Sequence, residues 1–234
     1  MNLILIARKE DLLQKIATDL RNQHGIQVEI IVADFGKGSS IYPAIESGIS
    51  GKDIGILVNN VGVLFGFDYF HKESEANIWN MVNVNIASMA AMCRIVLPKM
   101  AAKKKGAVIN ISSVASIGPQ PFMALYSASK AYVDFLSRGL ASEYSDYGIT
   151  VQCIYPGPVQ TDMLATLDSD FAKVSNPIIP TPQDFAANAI RTLGFKHGTC
   201  GWWSHSLLAI MGAYSHTGMA KWNAKRFMKK QKKE

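Results

Sequence analysis

Tyr126 and Lys130 stand four residues apart in LYSASKAYV (125–133), with only Ser127, Ala128 and Ser129 between them. On a helix this spacing sets both side chains on one face, one turn apart. A phenol with a pKa near ~10 is a poor acid or base at neutral pH. A nearby ammonium favours the phenolate and lowers that pKa. The pair is therefore a candidate acid–base couple, although the same spacing occurs by chance on many helix surfaces.

The elements that would hold such a pair can be traced from the apolar pattern. LILIA (3–7) reads as a buried strand and 10–22 as an amphipathic helix. QVEIIVADF (27–35), IGILVNN (54–60), GAVINISS (106–113) and GITVQCIYPG (148–157) read as four more strands. Residues 75–102 have helical period, with Ile78, Met81, Val82, Ile86, Met89, Cys93, Val96 and Leu97 on one stripe; residues 125–146 form the helix carrying Tyr126. Alternating strands and helices predict an α/β fold, a Rossmann-like, doubly wound parallel sheet. Ligands of such sheets bind beyond the carboxyl ends of the strands. Asp34, Asn59, Ser113 and Pro156–Gly157 all fall there. The proline-containing stretch 157–180 has little periodicity and reads as a functional loop or lid. A single domain over 1–220 with a basic tail over 221–234 is the expected organisation.

Composition narrows the classes. The chain has 234 residues and a net charge of +6. The tail holds seven basic residues and one acid, while the first 220 residues balance at 17 of each sign. A neutral body argues against nucleic-acid binding. Cys93, Cys153 and Cys200 are widely spaced and form no CxxC pair, as expected of reduced thiols in a non-secreted protein. The five histidines lack metal-ligand spacing, so no metal is expected. MNLILIARKED is too short in apolar length for a signal peptide, and no run of about 20 apolar residues is apparent.

Several motifs in order make the chain similar to the short-chain dehydrogenase/reductase family, from its first residue to about residue 205. LVNNVG (57–62) resembles the family's Asn-Asn-Ala-Gly strand end, NVNI supplies Asn85, NISS supplies Ser113 thirteen residues before Tyr126, and YPGPVQTDM (155–163) resembles the loop that closes over a nicotinamide. VADF, DIGILVNNVG, INISS and YSASKAYVDFLS are nearest to the branch of 17β-hydroxysteroid dehydrogenases and very-long-chain 3-oxoacyl-CoA reductases. GWWSHS (201–206) is nearer still to the hydroxysteroid dehydrogenase-like subgroup, some of whose members replace the catalytic tyrosine; here Tyr126 is present.

The resemblance implies a reductase of a lipophilic ketone, a steroid or a 3-oxoacyl thioester, acting as a homodimer. Tyr126 would be the general acid, Lys130 would depress its pKa and hold the nicotinamide ribose, and Ser113 would hydrogen-bond the carbonyl as charge develops. Asn85 lies on the apolar stripe of its helix, where a bare amide is costly, and is expected in a buried polar relay. The cofactor set implied is Arg8, Lys9, Asp34, Asn59, Asn60, Gly62, Tyr126, Lys130, Pro156, Gly157, Val159 and Thr161. The cationic Ala7-Arg8-Lys9 turn suits the 2′-phosphate of NADP(H), where an acid would favour NAD.

Measured against the family, the chain starts at the second strand, and the Gly-rich turn that receives a pyrophosphate at a helix N-terminus is not found in the required strand–helix order. In the order 3-2-1-4-5-6-7 the first strand is central. The expectation is weak cofactor binding and either low stability or direct docking of the second strand against the fourth. The alternative reading is accordingly a truncated, non-catalytic pseudoenzyme unable to hold cofactor. The tail KWNAKRFMKKQKKE places Lys232 third and Lys230 fifth from its end, a spacing that resembles a dilysine retrieval signal. Residues 202–219 are apolar and aromatic, and could form a core helix, a lid or a membrane-interface segment. The expected location is the cytosolic face of the endoplasmic reticulum membrane, with the mitochondrion as the alternative.

Overall fold

A computed structural model describes residues 1–167 and 178–214 of the chain. The basic tail, Lys230 and Lys232 included, and the end of the 202–219 segment lie outside the described residues.

The chain divides into two compact units, Met1–Asp53 and Ile54–Glu234. The first contains β1 (Leu3–Ala7), α1 (Glu10–His24), β2 (Val28–Val32) and α2 (Tyr42–Gly48). β1 and β2 are parallel, in register from Leu3 opposite Val28 to Ala7 opposite Val32. Helix α1 opens with Glu10 and Asp11, carboxylates suited to the positive end of the helix dipole. It buries Leu13 and Ala17, and Ile45 of α2 is also fully enclosed.

The larger unit has a parallel sheet in the order β3-β4-β5-β6. Its strands are β3 (Ile56–Asn59), β4 (Gly106–Ile111), β5 (Ile149–Ile154) and the two-residue β6 (Gly198–Thr199). The helices are α3 (Glu75–Met81), α4 (Ser88–Ala102), α5 (Ala124–Glu143), α6 (Asp162–Leu167), α7 (Pro182–Ile190) and α8 (Trp203–Tyr214). Val108, Ile109, Val151, Cys153 and Ile154 fill the sheet interior. Met89 of α4 and Val133 of α5 pack with Cys153 on one cluster, while Ala189 of α7 packs with Ile109 and Ile154 on another. Helices thus cover both kinds of sheet contact, as buried parallel strands require. Gly148 turns the chain from α5 into β5 with φ 64°, and a Cβ there would lie 2.6 Å from the Lys104 carbonyl oxygen. Only glycine combines that left-handed conformation with so close a backbone.

All strand pairs are parallel, as the alternation predicts.

One departure from the predicted pattern shapes the site. Residues 75–102 are not a uniform helix: Val82–Ala87 form a π-helical stretch between α3 and α4. A π-turn holds an extra residue within the helical run. Within it Val82 and Ile86, expected on the inward stripe, are only half-buried, whereas Val84 and Asn85 are buried; beyond it Met89, Cys93, Val96 and Leu97 are buried as expected. The full run Glu75–Ala102 is long and apolar enough to cross a membrane by length and composition, contrary to the expectation that no such stretch exists. More than half of its most apolar window, 56%, is buried inside the protein, which is the burial of a core helix.

The proline-containing segment after β5 begins as a loop, as expected, but then forms α6. α7 and β6 were not legible in the sequence pattern.

Candidate active site

Parallel register brings three strand ends to one edge: Asn59 is opposite Asn110, and Ile111 is opposite Ile154. Ser113 follows β4 and Pro156 follows β5 at that edge. The two segments are stitched together, because Ser112 N–H donates to the Ile154 carbonyl at 2.7 Å and Val114 N–H to the Pro156 carbonyl at 2.9 Å. α5 then supplies Tyr126 in its first turn and Lys130 one turn later.

The pair meets as the spacing predicts. The Lys130 ammonium lies 5.8 Å from the centre of the Tyr126 ring and donates to the Ile111 carbonyl at 3.0 Å. The Ser112 hydroxyl donates to the Lys130 carbonyl at 2.7 Å, fixing the helix to the strand end. Ser113 stands near enough to the Tyr126 phenol to influence its titration; its Oγ accepts from Ala115 N–H at 3.1 Å and donates to the Pro156 carbonyl at 3.4 Å.

Asn85 is 2% exposed and fully engaged. Its Oδ1 accepts from Val63 N–H at 2.8 Å, and its Nδ2 donates to the Val63 carbonyl at 3.0 Å and to Ser129 Oγ at 3.1 Å. The expected buried relay is therefore present, and it joins the loop after β3 to α5. Gly62 lies in that loop, where an added Cβ would meet Lys130 Nζ at 3.4 Å and Asn85 Oδ1 at 3.6 Å. A side-chain-free floor beside a cation suits a polar ribose approaching the backbone.

The remaining sequence candidates divide. Asn59 turns its amide inward, to Asn110 Oδ1 at 2.8 Å and Cys93 Sγ at 3.4 Å, and Asn110 passes the chain on to Ser137 at 2.9 Å. It ties β3 to β4 and α4, while the neighbouring Asn60 is exposed. Thr161 is exposed and Val159 half-buried beside Pro156 and Gly157 in the loop after β5. Arg8, Lys9 and Asp34 belong to the smaller unit. Arg8 and Lys9 are exposed at the start of α1, and Asp34 Oδ1 accepts from Gly36 N–H at 3.0 Å, capping a short turn.

Electrostatics depart from the simple expectation for the pair. Burial pushes the Tyr126 phenol above its ordinary value, opposed by the neighbouring Ser113 hydroxyl. Burial also lowers Lys130 from 10.5 to about 8. Desolvation penalises each charged form, and this outweighs the lowering of the phenol that the lysine was expected to produce. The arrangement keeps the proton on Tyr126, in the form of an acid.

A small cavity opens beside Tyr126, walled by Phe65, Phe70, Met81, Phe122 and Met123, with Asp68 and Glu73 at its polar side. Asp68 pairs with Lys72 at 3.2 Å. Phe122 adopts φ 65°, an uncommon conformation for a bulky residue. Its carbonyl accepts from Asp68 N–H, and its ring meets Tyr69 edge-on at 5.0 Å. Neither this wall nor the packing of His205 under the loop after β5 is legible in the residue pattern, because both are assembled from distant segments.

A parallel sheet with flanking helices, and with Tyr126, Lys130, Ser113 and Asn85 near its strand ends, is a Rossmann-like α/β fold with a polar site at that edge. The short chain dehydrogenase family model matches residues 1–172, and the chain belongs to that family. It is 42% identical to the human protein named inactive hydroxysteroid dehydrogenase-like protein 1, over 96% of this chain and 68% of that one. It is 38% identical to the very-long-chain 3-oxoacyl-CoA reductase of Anas platyrhynchos, over all of this chain and 77% of that protein. Among solved structures, a short-chain dehydrogenase from Sphingobium yanoikuyae in complex with NADPH superposes with a TM-score of 0.73 at 28% identity, over 85% of this chain and 76% of that one.

The Lys130 shift has a measurable sign. The folded chain releases this proton near pH 8 and the unfolded chain near 10.5, so above pH 8 the unfolded state binds more protons and stability rises with pH. The buried thiols Cys93 and Cys153, raised from 9.0 to about 11, act with the opposite sign and begin to do so below pH 9. Urea denaturation should therefore show the parent gaining about 1 kcal/mol relative to Lys130→Met between pH 8 and pH 9, the thiol contribution being common to both. An equal pH dependence in parent and variant would reject the buried-ammonium assignment.

Proposed function

We propose that the chain is an NADP-dependent oxidoreductase that reduces a lipophilic ketone, a steroid or a 3-oxoacyl thioester, or oxidises the matching alcohol. The observation that carries this reading is the gathering of Asn85, Ser113, Tyr126 and Lys130 at the strand ends, with a small cavity walled by Phe65, Phe70 and Phe122 beside Tyr126. A bound nicotinamide would supply or accept the hydride. Tyr126 would donate its proton to the ketone oxygen, and the positive end of α5 would ease the negative charge left on the phenol. Ser113 would hydrogen-bond the same oxygen. Lys130 and Gly62 would hold the ribose, and Asn85 would keep the Val63 loop and α5 in register. Pro156, Gly157, Val159 and Thr161 would close over the nicotinamide, Asn60 would face it from the β3 end, Arg8 and Lys9 would meet the 2′-phosphate, and Asp34 the adenine. The phenylalanines around Tyr126 suit a hydrocarbon substrate.

A second reading, a non-catalytic chain unable to hold cofactor, is favoured by the word inactive in the name of the human relative. Membrane association on the cytosolic side of the endoplasmic reticulum is inferred from the lysine-rich tail alone.

Three measurements test these readings. In a chain that includes the family's Gly-rich turn, Tyr126→Phe should lower turnover by at least about a hundredfold while NADPH binding is kept; unaltered turnover would remove the tyrosine from the chemistry. Calorimetry should show NADPH bound more tightly than NADH, with Arg8→Asp weakening NADPH the more; a parent that prefers NADH rejects the cofactor choice, and micromolar NADPH binding by the 234-residue chain itself rejects the non-catalytic reading. Fluorescently tagged protein should stain the reticulum and redistribute when Lys230 and Lys232 become serine. Mitochondrial staining would overturn the location.

A further inference from the structure

His205 is fully buried, at 0% exposure, in the first turns of α8. Its Nε2 lies 2.8 Å from the Pro158 carbonyl oxygen. A carbonyl only accepts, so Nε2 carries the hydrogen. Nδ1 is buried with no hydrogen-bond partner among the described residues. Burial lowers the pKa of the ring against the pull of the Pro158 and Cys200 carbonyls, which agrees with a neutral imidazole.

The ring is fixed from both sides. It packs against Phe185 of α7 with centroids 5.6 Å apart, and the preceding Ser204 hydroxyl donates to the Ile178 carbonyl at 2.6 Å. On the other face it touches the backbone of Gly157 so closely that a Cβ there would lie 2.6 Å from Cδ2 and 3.0 Å from Cγ. Glycine at 157 is therefore demanded by the histidine.

From this geometry we infer that His205 is a positioning residue, holding the Pro156–Gly157–Pro158 turn so that the Pro156 carbonyl orients the Ser113 hydroxyl. The path is short and each link is a contact: His205 grips Pro158 and Gly157, and Pro156 accepts from Val114 N–H at 2.9 Å and from Ser113 Oγ at 3.4 Å. A serine hydroxyl has a single hydrogen. At 3.4 Å the Pro156 oxygen directs it through a weak bond that a substrate carbonyl can displace. A turn freed from His205 would let that oxygen move closer and capture the hydrogen, or retreat and leave it unaimed. Either change reduces the fraction of Ser113 set for the reaction. The role of Ser113 rests on the reading in the preceding subsection; the clamp itself does not.

The test compares His205→Phe, which keeps an aromatic ring against Phe185 and Gly157 but no donor, with His205→Gln, whose Nε2 can take over the hydrogen bond. Amide exchange is followed by NMR on the 234-residue chain. Val114 N–H reports the turn, and Ala107 N–H, which donates to Gly55 at 3.0 Å, reports the sheet. Exchange at Val114 should quicken about tenfold in the Phe variant, return towards the parent in the Gln variant, and leave Ala107 unchanged in both. Unchanged exchange at Val114 in the Phe variant, or equal quickening at both amides in both variants, would overturn the clamp. In a chain with measurable ketone reduction, kcat should fall about tenfold in the Phe variant with KM held, and recover in the Gln variant. A rise in KM at constant kcat would show a binding role instead and reject orientation of Ser113. A parent without turnover would count against the oxidoreductase reading, while the exchange result still decides the clamp.

Discussion

The buried amide of Asn85 is the constraint on which the site depends. Its oxygen and nitrogen close both polar groups of Val63 and a hydroxyl on α5. Inside the protein each of those groups would cost about 1–3 kcal/mol if left unpaired. They can be paired only when the loop after β3, the π-helical turn and α5 are all in place. The side chain thus makes three segments interdependent. Gly62 and Lys130 sit against it, so the same constraint positions the cation and the floor beside it. The irregular turn is what makes this possible: continuing the α-helical register through Val82–Ala87 would keep Val82 and Ile86 on the inward stripe, the faces the sequence period assigned to the core.

Burial has a second consequence in the acid–base pair. Desolvation raises the phenol and lowers the ammonium, so each charged form is less favoured than in water. A tyrosine that holds its proton is ready to give it to a ketone oxygen, and a lysine lowered to about 8 still carries its charge at pH 7 but responds to a new charge nearby. The neighbouring Ser113 hydroxyl, free to turn toward a charged phenol, provides the opposing influence. The site is tuned by how much water it excludes and by the hydroxyl set beside it, more than by the lysine charge acting across the ring.

The polar ties beneath the site distribute the same logic through the sheet. Asn59, Asn110 and Ser137 link β3, β4 and α5 in a buried chain, and Gln152 on β5 binds Thr192 and Lys196 beyond α7. Such groups contribute little net free energy when paired and cost much when not. They hold the strand ends at one level, which is the requirement for Ser113, Pro156 and Tyr126 to meet. Asn110, part of a sequon in the sequence, is wholly enclosed by this network.

The sequence by itself determined the parallel α/β alternation, the strand ends where a ligand would sit, and the Tyr126–Lys130 and Ser113 pattern, because these follow from local period and from spacing along one helix. It also determined that Asn85 must be bonded, since an amide on an apolar stripe has no other tolerable state. Tertiary structure decided the rest. The inward turn of Asn59, the aromatic wall around Phe122 and the His205–Gly157 contact join residues far apart in the chain, and no periodicity encodes them. The direction of the Tyr126 shift was decided there too, because pKa depends on how much solvent the surrounding fold removes, and spacing carries no measure of that.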